Sequence, residues 1–423
     1  MREINTTWER ATRTRGAIPR SRLFGASMAV MLASTGMLPA EGSARTQYHT
    51  PREIPKGATR LLEINPYESV YQMLPREKEN PELGELIPIW EALPKRTTPY
   101  PTSIAGSKPV RIAIHEVGPG TNSHVYVLIH GMLASYMTWR YVAAALPVDS
   151  DLWIVDLPGH GESDKPRPES LGPGGYAPGA VAERILQALE QRNQECPSKP
   201  RITLVAHSLG GMVALRMLSC PGIRQRHAGL LKQVDDAILF APCDVAVGVQ
   251  LGQLVTIAGL SSTTVTFGDV LGLVKDKVAK ASQGACYRPS YATQESAYLL
   301  FQAFTTPAIL KSSQAMIKQA VEGWATKGRP EWSPITQLVC NYTNITVPCL
   351  IVWGECDETL PEWMGHKLKD HIPGAQLQEL PECMHSPHLE CPHKCADLIS
   401  AFHAAHGALV ATGGSAAVSP GIH

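Results

Sequence analysis

Residues 203–214, TLVAHSLGGMVA, constrain the fold of this chain more than any other stretch. Thr203, Leu204 and Val205 read as the end of a buried strand, and Met212 onward reads as a helix. Ala206-His207-Ser208-Leu209-Gly210 must therefore turn sharply between them. Such a turn pushes the Ser208 side chain out at the carboxyl end of the strand. The first N–H groups of the helix lie close by and have no intrahelical carbonyl to bond. An exposed, aimed hydroxyl in that position suits a nucleophile. Small residues are needed because strand and helix backbones come close there, and Ala206, where glycine is usual, adds only a methyl group.

The rest of the chain repeats the strand-to-helix alternation. VRIAIHEV at 110–117 alternates apolar and polar like a half-exposed strand, and HVYVLI at 124–129 is a nearly continuous apolar run. Further short apolar runs lie at 152–155, 237–240 and 347–353, with a strand near 376–380. Helical spacing fills 133–146, 181–189, 361–371 and 392–405. The pattern predicts an α/β fold, a mostly parallel sheet flanked by helices on both faces. Residues 244–336 break it, with helical stretches at 269–281 and 307–325 and no convincing strand between them. They read as a helical cap inserted into a core made of 108–243 and 337–406. Residues 46–107 are punctuated by proline, from Pro51 to Pro101, and read as an irregular extension. Residues 407–423 are rich in Gly, Ala and Ser and read as a disordered tail.

Lys plus Arg and Asp plus Glu number 38 each, so the net charge is zero and no global field favours nucleic acid or an acidic partner. The first 45 residues differ from the rest. Arginines from Arg2 to Arg22 precede an apolar run, Leu23 to Ala40, and then Gly42, Ser43 and Ala44. This is the layout of an export signal, which places the protein in the secreted or periplasmic space. Gly, Ser and Thr dilute the run, which weighs against an uncleaved anchor, the sole route by which a membrane enters this reading. Organellar import is the rival, and Glu3 and Glu9 weigh against it. All ten cysteines lie between Cys196 and Cys395, and in an exported chain an even count reads as disulfides.

A serine is a weak nucleophile without a base, and the base needs an acid to orient it. In a parallel sheet these groups come from the carboxyl ends of different strands. Asp357 follows the strand at 347–353 in WGECD, and His385 follows the next strand in PECMHSPH. Asp244, after the strand at 237–240, is the alternative acid. His130, His160 and His207 read as structural, orienting the loops and the elbow. The stretch from Cys383 to Cys395 has the composition of a metal site but lacks paired C-x-x-C knuckles, so no metal is assigned. Cys356 precedes the acid and Cys383 sits two before the base, so a Cys356–Cys383 bridge would tie their loops together.

At this point a resemblance is carried by several separate motifs. They are Ile129-His130-Gly131-Met132, then Asp156-Leu157-Pro158-Gly159-His160-Gly161 with Glu162-Ser163-Asp164, then Ala206-His207-Ser208-Leu209-Gly210-Gly211. Trp353-Gly354-Glu355-Cys356-Asp357 follows, and then His385 with Glu390 and Pro392. From about Val110 to His406 the chain resembles the α/β-hydrolase superfamily, in its serine esterase and lipase branch with a helical cap. The resemblance implies Ser208 as nucleophile, His385 as base and Asp357 as orienting acid. It implies an oxyanion hole from the backbone N–H groups of Met132 and Leu209, with no cofactor. Serine at the elbow sets the chain apart from the branches that form an alkyl-enzyme on aspartate. The expected substrate is a small acyl compound, a carboxylic ester, with an apolar part suggested by the Val249 to Leu260 stretch. C–C bond hydrolysis of the meta-cleavage type, or ligand binding without catalysis, stand as alternatives.

Overall fold

The runs assemble into one sheet because each is short and bounded by turns, and the central ones are apolar on both faces. In the computed structural model, which describes residues 69–243, 273–321 and 339–411, the strands are β1 (Lys95–Thr102), β2 (Val110–Val117), β3 (His124–Ile129) and β4 (Leu152–Val155). They continue with β5 (Arg201–His207), β6 (Val234–Phe240), β7 (Cys349–Gly354) and β8 (Gln376–Leu380). Among the described residues they form one sheet in the order β1-β2-β4-β3-β5-β6-β7-β8. The β1–β2 and β2–β4 pairs are antiparallel, and every pair from β4 onward is parallel. The register sets Ala206 between Ile129 and Leu239, and Phe240 beside Val352. The turns that leave β3, β5, β6 and β7 therefore emerge side by side along one edge.

The helices are α1 (Pro81–Ala92), α2 (Arg140–Ala145), α3 (Pro178–Glu195), α4 (Leu209–Ser219), α5 (Leu273–Gly284), α6 (Gln294–Thr305), α7 (Pro307–Val321), α8 (Trp363–His371) and α9 (Pro392–Ala411). The period of two along each strand divides its side chains between two cores. Val127, Ile129, Leu204 and Ile351 pack with α3, α4 and α8. Tyr126, Leu128, Val205 and Val352 pack with α1, α2 and α9. Each such fully buried Leu, Ile or Val stabilises the fold by about 1.5–3 kcal/mol.

The segment expected to be irregular, 46–107, is not so where the structure describes it. Residues 81–92 form α1 and 95–102 form the edge strand β1. Pro81 sits at the first turn of α1, where no N–H is required, and Asn80 caps the helix by accepting the N–H groups of Glu82 and Leu83. An edge strand has one unpaired side, so Pro99 and Pro101 are tolerated in β1. Residues 407–411, expected to open the disordered tail, instead continue α9 to Ala411. Once a helix is running, each further residue adds a hydrogen bond at little cost. The stretch read as an export signal (1–45), residues 46–68 of the proline-rich segment, Asp244, cap residues 244–272 and 322–336, residues 337–338 and residues 412–423 lie outside the described residues.

The cap helices are fastened by side chains from two directions. On one side Ser313 Oγ bonds His160 Nε2 at 2.8 Å, and Ser312 Oγ bonds the Tyr176 hydroxyl at 2.8 Å. On the other, the segment before α1 reaches over the cap. Its Glu77 pairs with the buried Arg140 guanidinium, which also donates to Ser296 Oγ of α6 at 2.9 Å.

Candidate active site

The turn between β5 and α4 holds Ser208 at φ +50°, ψ −115°, a conformation that L residues rarely adopt. Such a residue costs about 1–3 kcal/mol and persists where its surroundings over-determine it. Here the Ser208 N–H donates to Phe240 O at 2.9 Å, while its carbonyl accepts from Cys243 N–H at 2.8 Å and Met212 N–H at 3.1 Å. Gly210 explains the small-residue pattern. A Cβ there would come within 2.5 Å of His130 O and 2.7 Å of Ile129 O, both backbone atoms. Ala206 is fully buried between its neighbouring strands, so its methyl group is accommodated.

His385 and Asp357 come from the loops after β8 and β7 and meet Ser208. Ser208 Oγ lies 3.0 Å from His385 Nε2, and His385 Nδ1 lies 2.7 Å from Asp357 Oδ2. Oδ1 of Asp357 accepts the N–H groups of Thr359 and Leu360 at 2.8 and 2.9 Å. The carboxylate is thus an acceptor on both oxygens, which puts the ring proton on Nδ1 and leaves the Nε2 lone pair facing the serine hydroxyl.

The two loops are tied by backbone, with Cys356 N–H donating to Cys383 O at 3.0 Å. The expected Cys356–Cys383 bridge is not formed, and both thiols are free. Cys383 turns into the core beneath β7 and β8 and lies 2.8 Å, sulfur to sulfur, from Cys391. The short helix Pro387–Glu390 brings Cys391 back to it, whereas Cys356 stays at the half-exposed rim.

A cavity of about 800 Å3 opens over Ser208 and His385. Its walls include Met132 and Leu133 from the turn after β3, Leu300, Phe301 and Ile309 from the cap, and Leu389. Leu133 is itself held at φ +55°. Leu209 is the first residue of α4, so its N–H has no intrahelical partner.

The remaining histidines hold loops in place. His130 Nε2 accepts Leu157 N–H at 3.0 Å, and its Nδ1 donates to Gly131 O at 2.6 Å, joining the turns after β3 and β4. Burial pushes His160 down to about 3, so it meets Ser313 as a neutral ring. His207 is structural, as its place in the elbow suggests, but nothing in the sequence reveals its partner. Its Nε2 donates to the carbonyl of His385 at 2.9 Å, and burial, with His388 and His385 nearby, pushes its own titration well down. Glu390, which the sequence motif pairs with His385 and Pro392, bonds two backbone N–H groups. Its Oε1 accepts Met384 N–H at 2.9 Å and its Oε2 accepts Tyr287 N–H at 2.6 Å. Among the described residues, one group with metal-ligand side chains gathers from Glu362, just before α8, His366 on α8 and Glu379 on β8, and none of the three lines the cavity.

A second buried group of similar composition lies at the other end of the sheet. His403 Nδ1 lies 3.0 Å from both Thr203 Oγ1 and Asp236 Oδ2, and His124 Nε2 lies 2.8 Å from the same Thr203 oxygen.

Comparison with known proteins agrees with this architecture. The model of the alpha/beta hydrolase family matches residues 126–398. An uncharacterised protein of Mycobacterium tuberculosis is 26% identical over 287 residues, 65% of this chain and 74% of that protein. A pimeloyl-[acyl-carrier protein] methyl ester esterase of Neisseria meningitidis is 25% identical over 281 residues, 64% of this chain and 90% of that enzyme. Among solved structures, a lipase-like protein of Acinetobacter baumannii superimposes with a TM-score of 0.52 at 20% identity, covering 77% of this chain and 97% of that one.

Proposed function

This chain belongs to the alpha/beta hydrolase family, and on that premise we propose that it cleaves a carboxylic ester through a covalent acyl-enzyme. One observation carries the reading: Ser208, His385 and Asp357 form a hydrogen-bonded series through two different nitrogens of one imidazole. Ser208 Oγ attacks the acyl carbonyl while His385 Nε2 takes its proton. Asp357 keeps the imidazolium aligned through Nδ1 and stabilises its charge. The oxyanion that forms is taken by the N–H groups of Leu209 and Met132. Each such fixed donor is typically worth about 3–4 kcal/mol in the transition state. The start of α4 adds its dipole to the same charge. His385 then gives its proton to the departing alcohol, and water repeats the sequence to free the acid.

The cap supports an apolar acyl or alcohol portion, because Leu300, Phe301 and Ile309 face the cavity and its volume suits a molecule of drug size. The ester chemistry named for the Neisseria relative supports the same reaction class. The test is a fluorophosphonate probe together with a series of chromogenic esters of increasing acyl length. Stoichiometric labelling at Ser208 and turnover of esters, with amides and vinylogous diketones untouched, is the expected result. An unlabelled Ser208 in folded protein would overturn the reading.

A further inference from the structure

Glu390 stands outside the proton-transfer series, yet its buried carboxylate bonds one residue next to His385 and one next to Cys286, both of which line the cavity. It is 5% exposed, at the end of the short helix that follows His385. Its two oxygens diverge. Oε1 holds the N–H of Met384, the residue before His385, and Oε2 holds the N–H of Tyr287, in the turn by which the chain leaves cap helix α5. Both N–H groups lie outside helices and strands, where no regular ladder supplies an acceptor. A second cap-to-loop link, Arg288 to Glu382, is more than half exposed on both sides and is screened by water.

We propose that Glu390 is a positioning residue that latches the cap to the loop of His385, so that one carboxylate sets both cavity closure and the aim of the imidazole. The second half of this rests on His385 acting as the base, as proposed above. The first half rests on the two hydrogen bonds alone. Two facing acceptor oxygens are needed, and a fully ionised carboxylate supplies them. A protonated one spends an oxygen on its own hydrogen.

The surroundings place that change of charge in the working range. Burial pushes the Glu390 carboxyl up to about 7, against the two N–H donors; Asp357 adds to the rise and His385 opposes it. The other titratable groups facing it are the thiols of Cys286, Cys356, Cys383 and Cys391. Because the folded-state value lies above the ordinary carboxylate range, the folded state prefers the protonated form. The stability this group contributes is present at low pH and is lost as pH rises through about 7. The latch has the opposite trend, since it is complete when Glu390 is ionised. A residue with a purely structural role would not separate the two.

The experiment uses the full chain with Glu390→Gln and Glu390→Asp. Peptide-resolved hydrogen exchange reads the latch without reference to activity. In Glu390→Gln, exchange should rise at 285–288 and 383–386 together, roughly tenfold, with Glu390→Asp between it and the wild type. Steady-state turnover of a chromogenic ester from pH 5 to 9 reads the aim. Glu390→Gln should lower kcat/KM by up to about 10²-fold, with a shallower acid limb, while resisting urea better than the wild type relative to their difference at pH 6 when both are compared at pH 9. Exchange that rises at one segment alone, or at neither, overturns the latch. Wild-type turnover and pH profile in Glu390→Gln overturn the positioning role. If the wild type turned over no ester, the proposed function would fall while the exchange result still decided the latch.

Discussion

The two ends of the sheet each carry a hydroxyl, an imidazole and a buried carboxylate. At the carboxyl end stand Ser208, His385 and Asp357, and at the amino end Thr203, His403 and Asp236. The imidazoles and carboxylates are covered alike: both carboxylates are fully covered, and the imidazoles are 14% and 22% exposed. The wiring differs. His385 meets its partners through Nε2 and Nδ1, whereas His403 meets both of its partners through Nδ1. A ring relays a proton when it receives it at one nitrogen and is held at the other. The amino-end group instead acts as a knot. It fastens α9 to β5 and β6, with His124 stacked on His403 at a centroid distance of 3.7 Å. On the proposed mechanism, the difference means that residue types alone do not make a proton relay. The backbone that aims each ring decides it, and a cavity must reach the hydroxyl, as one does at Ser208 and not at the fully buried Thr203.

Substitutions at the two ends should separate chemistry from stability. Ser208→Ala should lower ester turnover by roughly 10⁶-fold with its melting transition within a few degrees of the wild type, measured by a chromogenic ester and calorimetry. Asp357→Asn should follow at roughly 10⁴-fold, because the amide no longer holds the proton on Nδ1; the readout is kcat under saturating ester. At the amino end, Thr203→Val should leave kcat/KM unchanged and cost about 1–3 kcal/mol in urea unfolding, since it strands His124 and His403 without their shared oxygen. A catalytic loss there would break the comparison.

The smallest effect is a pH slope. Burial, with His403 and Arg201 nearby, pushes His124 down to about 3. A histidine depressed on folding contributes stability that is present above its ordinary value of about 6.5 and is lost as pH falls toward 3. His124 therefore lowers the urea midpoint as pH falls from 7 to 5, and His124→Gln should raise the midpoint at pH 5 relative to the wild type more than it does at pH 7.

Some of this was legible in the chain and some was not, for reasons visible in particular residues. Strands β2, β3 and β4 follow from apolar runs read residue for residue, because side-chain period is a local property. Ser208, Asp357 and His385 were legible as candidates because each directly follows such a run. Strand β1 was not, since Pro99 and Pro101 speak against a strand until β2 supplies a partner on one side and solvent the other. The partner of His207 lies 178 residues away along the chain and the cap partner of Glu390, Tyr287, lies 103 away, beyond any local pattern. The pairing of thiols also escaped, because spacing says nothing about which way Cys383 turns once its carbonyl is bonded to Cys356.

By itself, then, the sequence determined a parallel α/β sheet, the strained turn at Ser208 and the order of the residues that follow the strands. These depend on periodicity and on residue size, which act within a few positions. The tertiary structure alone decided which nitrogen of which histidine faces which oxygen, and that a buried Glu390 joins the cap to the His385 loop. Those outcomes depend on side-chain directions summed over distant segments, and hydrogen bonds fail when such directions are off by an ångström or a few tens of degrees.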